Sequence, residues 1–480
     1  MNREELRPRI AGARAGGQRR HAERAPRIAG ARANGPTRRR VGYDLGSRGG
    51  SHLADMRSTR PTAITTGATG TAAAPLTPAE IAAIRAPFRR ATLLPARAYH
   101  DEAIHAWETE HIFFRDWIPA ARAEELPEPG SFILRDLFGE NVILVRGRDD
   151  TIRAFYNVCR HRGTAVEERE GGKVVRFQCP YHAWIYDLDG RLIRAKHTED
   201  LEDFSFEDFG LSPIRLEVWG GFVFLCFSEE TPGLQVYMDD WYGHHAGFGR
   251  DFSSLRRAAR MTYDVAANWK IVAENYSECY HCPGVHPLLN KLTPYDLGED
   301  FFPTGPWKGG WMPFTEGCET MSMDGLRHGR PLLFARDEDE ARLIYYYILW
   351  PNLIVSFHPD YVLTHQAWPD GPNRTIVHCD LYVDRDAIGK LDVQGALDFW
   401  DLTNKQDYHV VELQQQGTRS RSWVAGRYSN QEASVHAFDL MAMDRYAMDG
   451  VRTAREARTE PAHTRTRAGT GLSVSGVRGA

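Results

Sequence analysis

Cys159-Arg-His161 is followed, after 17 intervening residues, by Cys179-Pro-Tyr-His182. Each half offers one thiolate and one imidazole from a turn between short strands. Two cysteines and two histidines can close a tetrahedral zinc site. They can equally hold a [2Fe–2S] cluster, with both thiolates on one iron and both imidazoles on the other. The spacing favours the cluster. Structural zinc sites usually open with paired cysteines, whereas here each half mixes cysteine and histidine. Imidazoles donate less charge to iron than thiolates, so such a cluster accepts an electron more readily than an all-cysteine one. Gly163 permits one loop to turn tightly, and Tyr181 and Trp184 either cover the cluster or fill the β-core.

A second signal is NWKIVAENYSECYHCPGVHP, residues 268–287. Asn268 to His281 reads as an amphipathic helix. Glu278 and His281, three apart, share a face of it. His286 is five beyond His281 and in an unbroken helix would point roughly 140° away. Pro283-Gly284 supplies a break that can return it. Two histidines alone either bind a metal or pack, and both readings stand at this level. A third, carboxylate ligand would make the set suited to non-haem Fe(II), but spacing does not reveal one.

The rest of the chain sets the frame. Residues 1–60 hold 15 Arg, no Lys and five acids, against a net charge of −5 for all 480 residues. Low apolar periodicity there predicts a disordered arm over 1–75 that carries no function, with Met56 a candidate true initiator. Helices are expected over 76–115, the first capped by Thr77, Pro78 and Glu80 and the second from Tyr99 to Phe113. SFILRDLF, NVILVRG, IRAFYNVC, VVRFQCP, AWIYDLDG and RLI alternate with period two, giving an all-β domain over 116–226. Residues 227–452 read as an α+β domain. Its expected antiparallel sheet uses strands near 341–350, 353–357, 361–368 and 373–382, with C-terminal helices at 388–416 and 430–447. A loose tail is expected over 453–480. The absence of an 18-residue apolar run excludes a spanning helix, and the charge balance gives no reason to expect nucleic acid. Seven cysteines, an odd number, suit a reducing cytoplasm better than a disulfide scaffold.

Together, CRHRG…CPYHAW and NWK-x3-ENY-x-E-x-YH-x4-HP resemble the oxygenase (alpha) component of the Rieske non-haem iron oxygenases, over about residues 80 to 450. The resemblance implies a Rieske [2Fe–2S] domain held by Cys159, His161, Cys179 and His182. It also implies a helix-grip, START-like catalytic domain with one mononuclear Fe(II) per subunit on His281, His286 and Asp407. Asp401 and Glu412 are weaker rivals for the third ligand. Glu278 matches the family's bridging carboxylate, joining His281 to a Rieske histidine, His182 by match, across the interface of a head-to-tail homotrimer. Electrons are implied to come from NAD(P)H through a separate FAD- or FMN-containing [2Fe–2S] reductase, with O2 as co-substrate, since no nicotinamide or flavin motif is present.

Glu rather than Asp at the bridge, and the run YYYILWPNLIVSFHPDYVLTHQAWP, resemble the subgroup acting on glycine betaine, proline betaine, choline or carnitine. Hydroxylation of an N-methyl carbon there releases formaldehyde. Trp307, Trp311, Tyr345, Tyr347, Phe357 and Trp368 are candidates to face such a cation, although a sheet core also demands aromatics. The alternative is hydroxylation or demethylation of an aromatic substrate.

Overall fold

A computed structural model describes residues 74–246, 252–303, 305–333 and 337–447. The expected tail, and all but the last two residues of the expected arm, lie outside these. The described chain begins with α1 (Pro78–Ile84), α2 (Arg97–His100) and α3 (Glu102–Glu108). Thr77 and Glu80 form the capping box read from the sequence. The single helix expected from Tyr99 to Phe113 is divided. Asp101 leaves the helical region, and its carboxylate accepts the Ala103 N–H at 2.8 Å, so α3 starts afresh.

Ten strands then follow: β1 (Ile118–Arg122), β2 (Ser131–Leu137), β3 (Glu140–Arg146), β4 (Ile152–Tyr156), β5 (Gly171–Lys173), β6 (Phe177–Gln178), β7 (Ile185–Tyr186), β8 (Leu192–Arg194), β9 (Pro213–Trp219) and β10 (Phe222–Cys226). Seven form an antiparallel sheet in the order β1-β10-β9-β4-β3-β2-β5, and β6-β7-β8 form a small second one. Cys159 lies in the β4–β5 connection and Cys179 in the β6–β7 hairpin. Phe132, Phe155, Phe177, Tyr186 and Leu192 pack beneath both loops.

Two short helices, α4 (Leu234–Met238) and α5 (Trp241–Ala246), lead to β11 (Leu255–Val265), then α6 (Trp269–Tyr276), α7 (Cys282–Val285) and α8 (Pro287–Leu292). The second sheet continues with β12 (Glu299–Phe301), β13 (Trp307–Pro313), β14 (Leu343–Leu349), β15 (Leu353–Phe357), β16 (Val362–Pro369) and β17 (Thr375–Asp384). It is antiparallel, in the order β11-β17-β16-β15-β14-β13-β12. Sequence periodicity passes over β11 and β13. In β11, LRRAARMTYDV shows no clean apolar alternation because it is a half-exposed edge, with Arg260 paired bidentate to Asp380 at 2.6 Å. In β13 two glycines interrupt the pattern. A Cβ on Gly309 would run into the Tyr347 ring.

The chain closes with α9 (Gln394–Gly417) and α10 (Ala433–Tyr446). Phe399 and Trp400 seat α9 against Tyr361, Leu363 and Cys379 of the sheet. Buried Gln415 ties α9 to the rest: its Oε1 accepts the Asn268 N–H at 3.0 Å, while its Nε2 donates to Tyr99 O at 3.3 Å and Asn373 Oδ1 at 2.8 Å. Asn268 is the N-cap of α6. One amide thus joins α9, the start of α6 and the N-terminal segment.

Candidate metal centres

The helix expected to run from Asn268 to His281 stops at Tyr276. The Ser277 hydroxyl bonds back to Ala273 O at 2.5 Å, and Glu278 then accepts the N–H groups of Tyr280 and His281. This local competitor for backbone donors replaces the next helical turn. The Glu278–His281 contact is therefore made across a turn, not along a helix face. The break that redirects His286 also differs from the expected one. Pro283 sits in the first turn of α7, and His286 leaves helical geometry (φ −124, ψ 68) ahead of Pro287, as a residue preceding proline tends to do.

The result brings three groups together. His286 Nε2 lies 2.7 Å and His281 Nε2 3.2 Å from Asp407 Oδ1. Among the described residues, these are the one set of three or more metal-ligating side chains whose donor atoms lie within 4.8 Å of one another. Asp407 stands midway along α9. Asp401 is engaged elsewhere, with Tyr263 Oη at 3.1 Å and Lys405 Nζ at 2.5 Å, and Glu412 accepts the Ala266 N–H at 3.0 Å.

The outer nitrogens decide what the inner ones offer. His281 Nδ1 donates to Glu278 Oε1 at 2.5 Å, and His286 Nδ1 to Gln406 Oε1 at 2.9 Å. With those protons placed outward, both Nε2 lone pairs converge on a carboxylate oxygen, which is favourable only around a cation. Titration tells the same story. Burial disfavours charge on His281 and Asp407, yet the bonds to Asp407 and Glu278 raise the His281 pKa to about 10, and the two imidazoles hold Asp407 below the usual carboxylate range. A proton there takes the place a metal ion would fill. The residues fit Fe(II). Gln406, absent from the sequence-level reading, adjoins Asp407 in the chain, but only folding reveals its partner.

The two Cys/His loops are built alike. Cys159 N–H bonds to Thr164 O and Gly163 N–H to Cys159 O. Cys179 N–H likewise bonds to Trp184 O and Ala183 N–H to Cys179 O. Gly163 (φ +76) and Ala183 (φ +56) both take the left-handed conformation four residues after the cysteine. The thiols are buried, at 2% exposure each, while His161 and His182 are exposed with their Nδ1 atoms 3.1 Å apart. The donors pair as sulfur with sulfur and nitrogen with nitrogen and do not converge on one point. A two-iron cluster fits this arrangement and a single zinc ion does not. Trp184 is buried and stacks on His161 at 4.8 Å, whereas Tyr181 is exposed beside His182.

Residues 116–205 match the Rieske [2Fe-2S] domain, and residues 252–448 match the ring hydroxylating alpha subunit (catalytic domain). The glycine betaine monooxygenase oxygenase subunit of Pseudomonas aeruginosa is 31% identical over 370 residues, covering 70% of this chain and 84% of that one. The chain belongs to the Rieske non-haem iron oxygenases. The oxygenase is also 30% identical to the carnitine monooxygenase oxygenase subunit of Escherichia coli K12, over 70% of this chain and 86% of that one. Its fold matches the quaternary ammonium Rieske monooxygenase CntA in complex with L-carnitine, with a TM-score of 0.63 at 25% identity, covering 76% and 98% of the two chains. Naphthalene 1,2-dioxygenase shares the fold at a TM-score of 0.58 and 20% identity, covering 74% and 92%. Among the described residues no helix of the oxygenase is long and apolar enough to cross a membrane.

A cavity open to solvent adjoins His281, His286 and Asp407. Of the six aromatic candidates, Trp311 and Tyr347 border it, but the Tyr347 ring turns away to pack on Trp241, Trp307 and Phe357. Trp307, Phe357 and Tyr345 instead pack with α4 and α5, and Trp307 Nε1 donates to Asp240 Oδ1 at 2.7 Å. Trp368 packs near Phe138, 5.9 Å away. The core thus takes most of the run, as period-two alternation in a covered sheet requires. Tyr346 and Trp400 join the cavity wall without having been singled out, as do Glu299, Asp300 and the buried Lys308.

Proposed function

We propose that the oxygenase hydroxylates an N-methyl carbon of a quaternary ammonium compound that also carries a carboxylate, as glycine betaine and carnitine do. The observation that carries this is the iron triad opening into a cavity walled by Trp311, Tyr346 and Trp400, with charges of both signs on its surface. Aromatic faces and the acids Glu299 and Asp300 suit a permanent cation. Lys308, held by Ser434 Oγ at 2.7 Å, suits the carboxylate. The relatives named for glycine betaine and carnitine support the same class.

Bound at His281, His286 and Asp407, Fe(II) would supply the oxygen-activating chemistry. The protein fixes both Nε2 atoms through Glu278 and Gln406 and places the methyl group beside the metal. Overall, the substrate, O2, two electrons and two protons give an N-hydroxymethyl cation and water. That cation then loses formaldehyde and a proton to leave the tertiary amine. In this reading Cys159, His161, Cys179 and His182 hold the cluster within a domain over 116–226. Residues 227–452 form the iron domain, braced by helices over 76–115. Glu278 carries electrons from His182 of a neighbouring subunit in a head-to-tail homotrimer. The exposed His161, His182 and Tyr280 suit such an interface. A separate NAD(P)H-dependent flavin reductase supplies the electrons. A reducing compartment such as the cytoplasm suits cysteines that form no disulfide.

The test is a substrate panel of glycine betaine, carnitine, choline and a methoxybenzoate, incubated with holoenzyme, a Rieske reductase and NADH. Formaldehyde should appear in step with loss of a betaine. Choline consumed as well as its carboxylated analogue would remove the role of Lys308. Consumption of the methoxybenzoate alone would overturn the quaternary ammonium reading.

A further inference from the structure

Three sulfur atoms line the iron cavity, and none of them has a role in the chemistry above. Cys279 and Cys282 stand on either side of the ligand His281, and Met312 faces them from β13. The Cys279 thiol approaches Met312 Sδ at 3.7 Å. Neither cysteine is bridged in a disulfide. The backbone between them is a closed turn, with the Cys282 N–H donating to Cys279 O at 3.1 Å. Such a turn keeps its end Cα atoms within about 7 Å, overlapping the span a disulfide needs. Cys282 is 2% exposed, whereas Cys279 is half-buried at the cavity wall.

We infer that Cys279 and Cys282 form a reversible disulfide astride His281, a modification site for hydrogen peroxide that enters the iron cavity. Cys279 is the attacking sulfur, because it is the more accessible. Its sulfur takes one oxygen from hydrogen peroxide to give a sulfenic acid, and water leaves. The Cys282 sulfur displaces the second water as the S–S bond forms. Two thiols are oxidised by two electrons in all, and one peroxide is reduced to two waters. The disulfide withdraws Cys279 from Met312 and pins the backbone that carries His281, which weakens the hold on iron. The inference relies on the iron reading for this last consequence; formation of the bond needs no substrate and is tested without one.

The test treats iron-loaded holoenzyme with stoichiometric hydrogen peroxide, then alkylates, digests with trypsin and weighs the fragments. Residues 271–291 form one tryptic peptide holding both cysteines, while Cys159 and Cys179 fall in others. The expected product is this peptide lighter by two hydrogens and closed to alkylation, restored by dithiothreitol. Iron loss to a chelator should be roughly tenfold or more faster in the oxidised protein and should recover on reduction. Cys282→Ser should leave Cys279 as a dimedone-trapped sulfenic acid. Cys279→Ser should leave Cys282 unmodified at the same dose. Full alkylation of both thiols after peroxide, gain of oxygen in place of loss of hydrogen, or a disulfide that leaves iron retention unchanged would each overturn the proposal.

Discussion

Glu278 and Gln406 determine which nitrogen each iron histidine presents, so their side chains are where small changes should tell most. Gln406→Leu removes the acceptor for His286 Nδ1–H and frees that ring to rotate or change tautomer. Iron affinity should fall about 10- to 100-fold, measured by chelator competition, with the visible Rieske spectrum unchanged. Undiminished affinity would mean that packing, not this hydrogen bond, fixes His286. Glu278→Gln keeps an acceptor for His281 but loses the charge. It should therefore retain iron, while electron transfer from the reduced cluster to the iron site slows in single-turnover measurement. Glu278→Ala should lose both properties. The histidine pair stood out because it sits five residues apart beside a proline, but only the resemblance made it a metal site. Asp407 became legible through resemblance, and Gln406 not at all, because its partner lies 120 positions away in the chain.

Among the elements, the two cluster loops depend on a left-handed residue at matching positions. Gly163→Val would force a β-branched side chain to φ +76, at a cost of about 1–3 kcal/mol. The cluster's visible absorbance should be lost while iron binding at His281 persists. The loops announce themselves because all four ligands lie on short local motifs. The edge strand β11 does not, since its alternation is masked by arginines that pair with Asp380 across the ladder. Helices α6 and α10 meet at a buried acid pair, where burial raises Glu274 and pushes Asp439 up to about 7. Tyr428 Oη donates to Asp439 at 2.5 Å. A carboxyl whose folded pKa exceeds its unfolded value holds its proton longer when folded. Its contribution to stability is therefore greatest at low pH, falls as pH rises from about 4 to 7, and levels off above that. Melting curves of Asp439→Asn against the parent should diverge across this window in favour of the variant, by no more than ~4 kcal/mol. Parallel curves would place the extra proton elsewhere.

At the scale of the whole molecule, the proposed passage of electrons from the exposed imidazole edges of one copy through Glu278 of the next predicts complementation between copies. Cys159→Ser, lacking the cluster, and His281→Ala, lacking the iron, should each be inactive alone. Co-expressed, they should yield mixed trimers with measurable turnover, because an intact cluster in one subunit can face an intact iron site in the next. Silence of the mixture, with trimers confirmed by sedimentation, would confine electron transfer within a subunit. The α+β plan was legible from periodicity, whereas the meeting of sheet, α6 and α9 around one cavity was not, since it depends on contacts between residues more than a hundred apart. The Gln415 amide sets a boundary of its own. Because it grips the Tyr99 carbonyl and the start of α6 at once, trimming the gene to begin beyond that tyrosine would leave α9, which carries Asp407, and α6, which leads into the histidine turn, without their shared anchor, so a minimal catalytic fragment has to keep the entry helices.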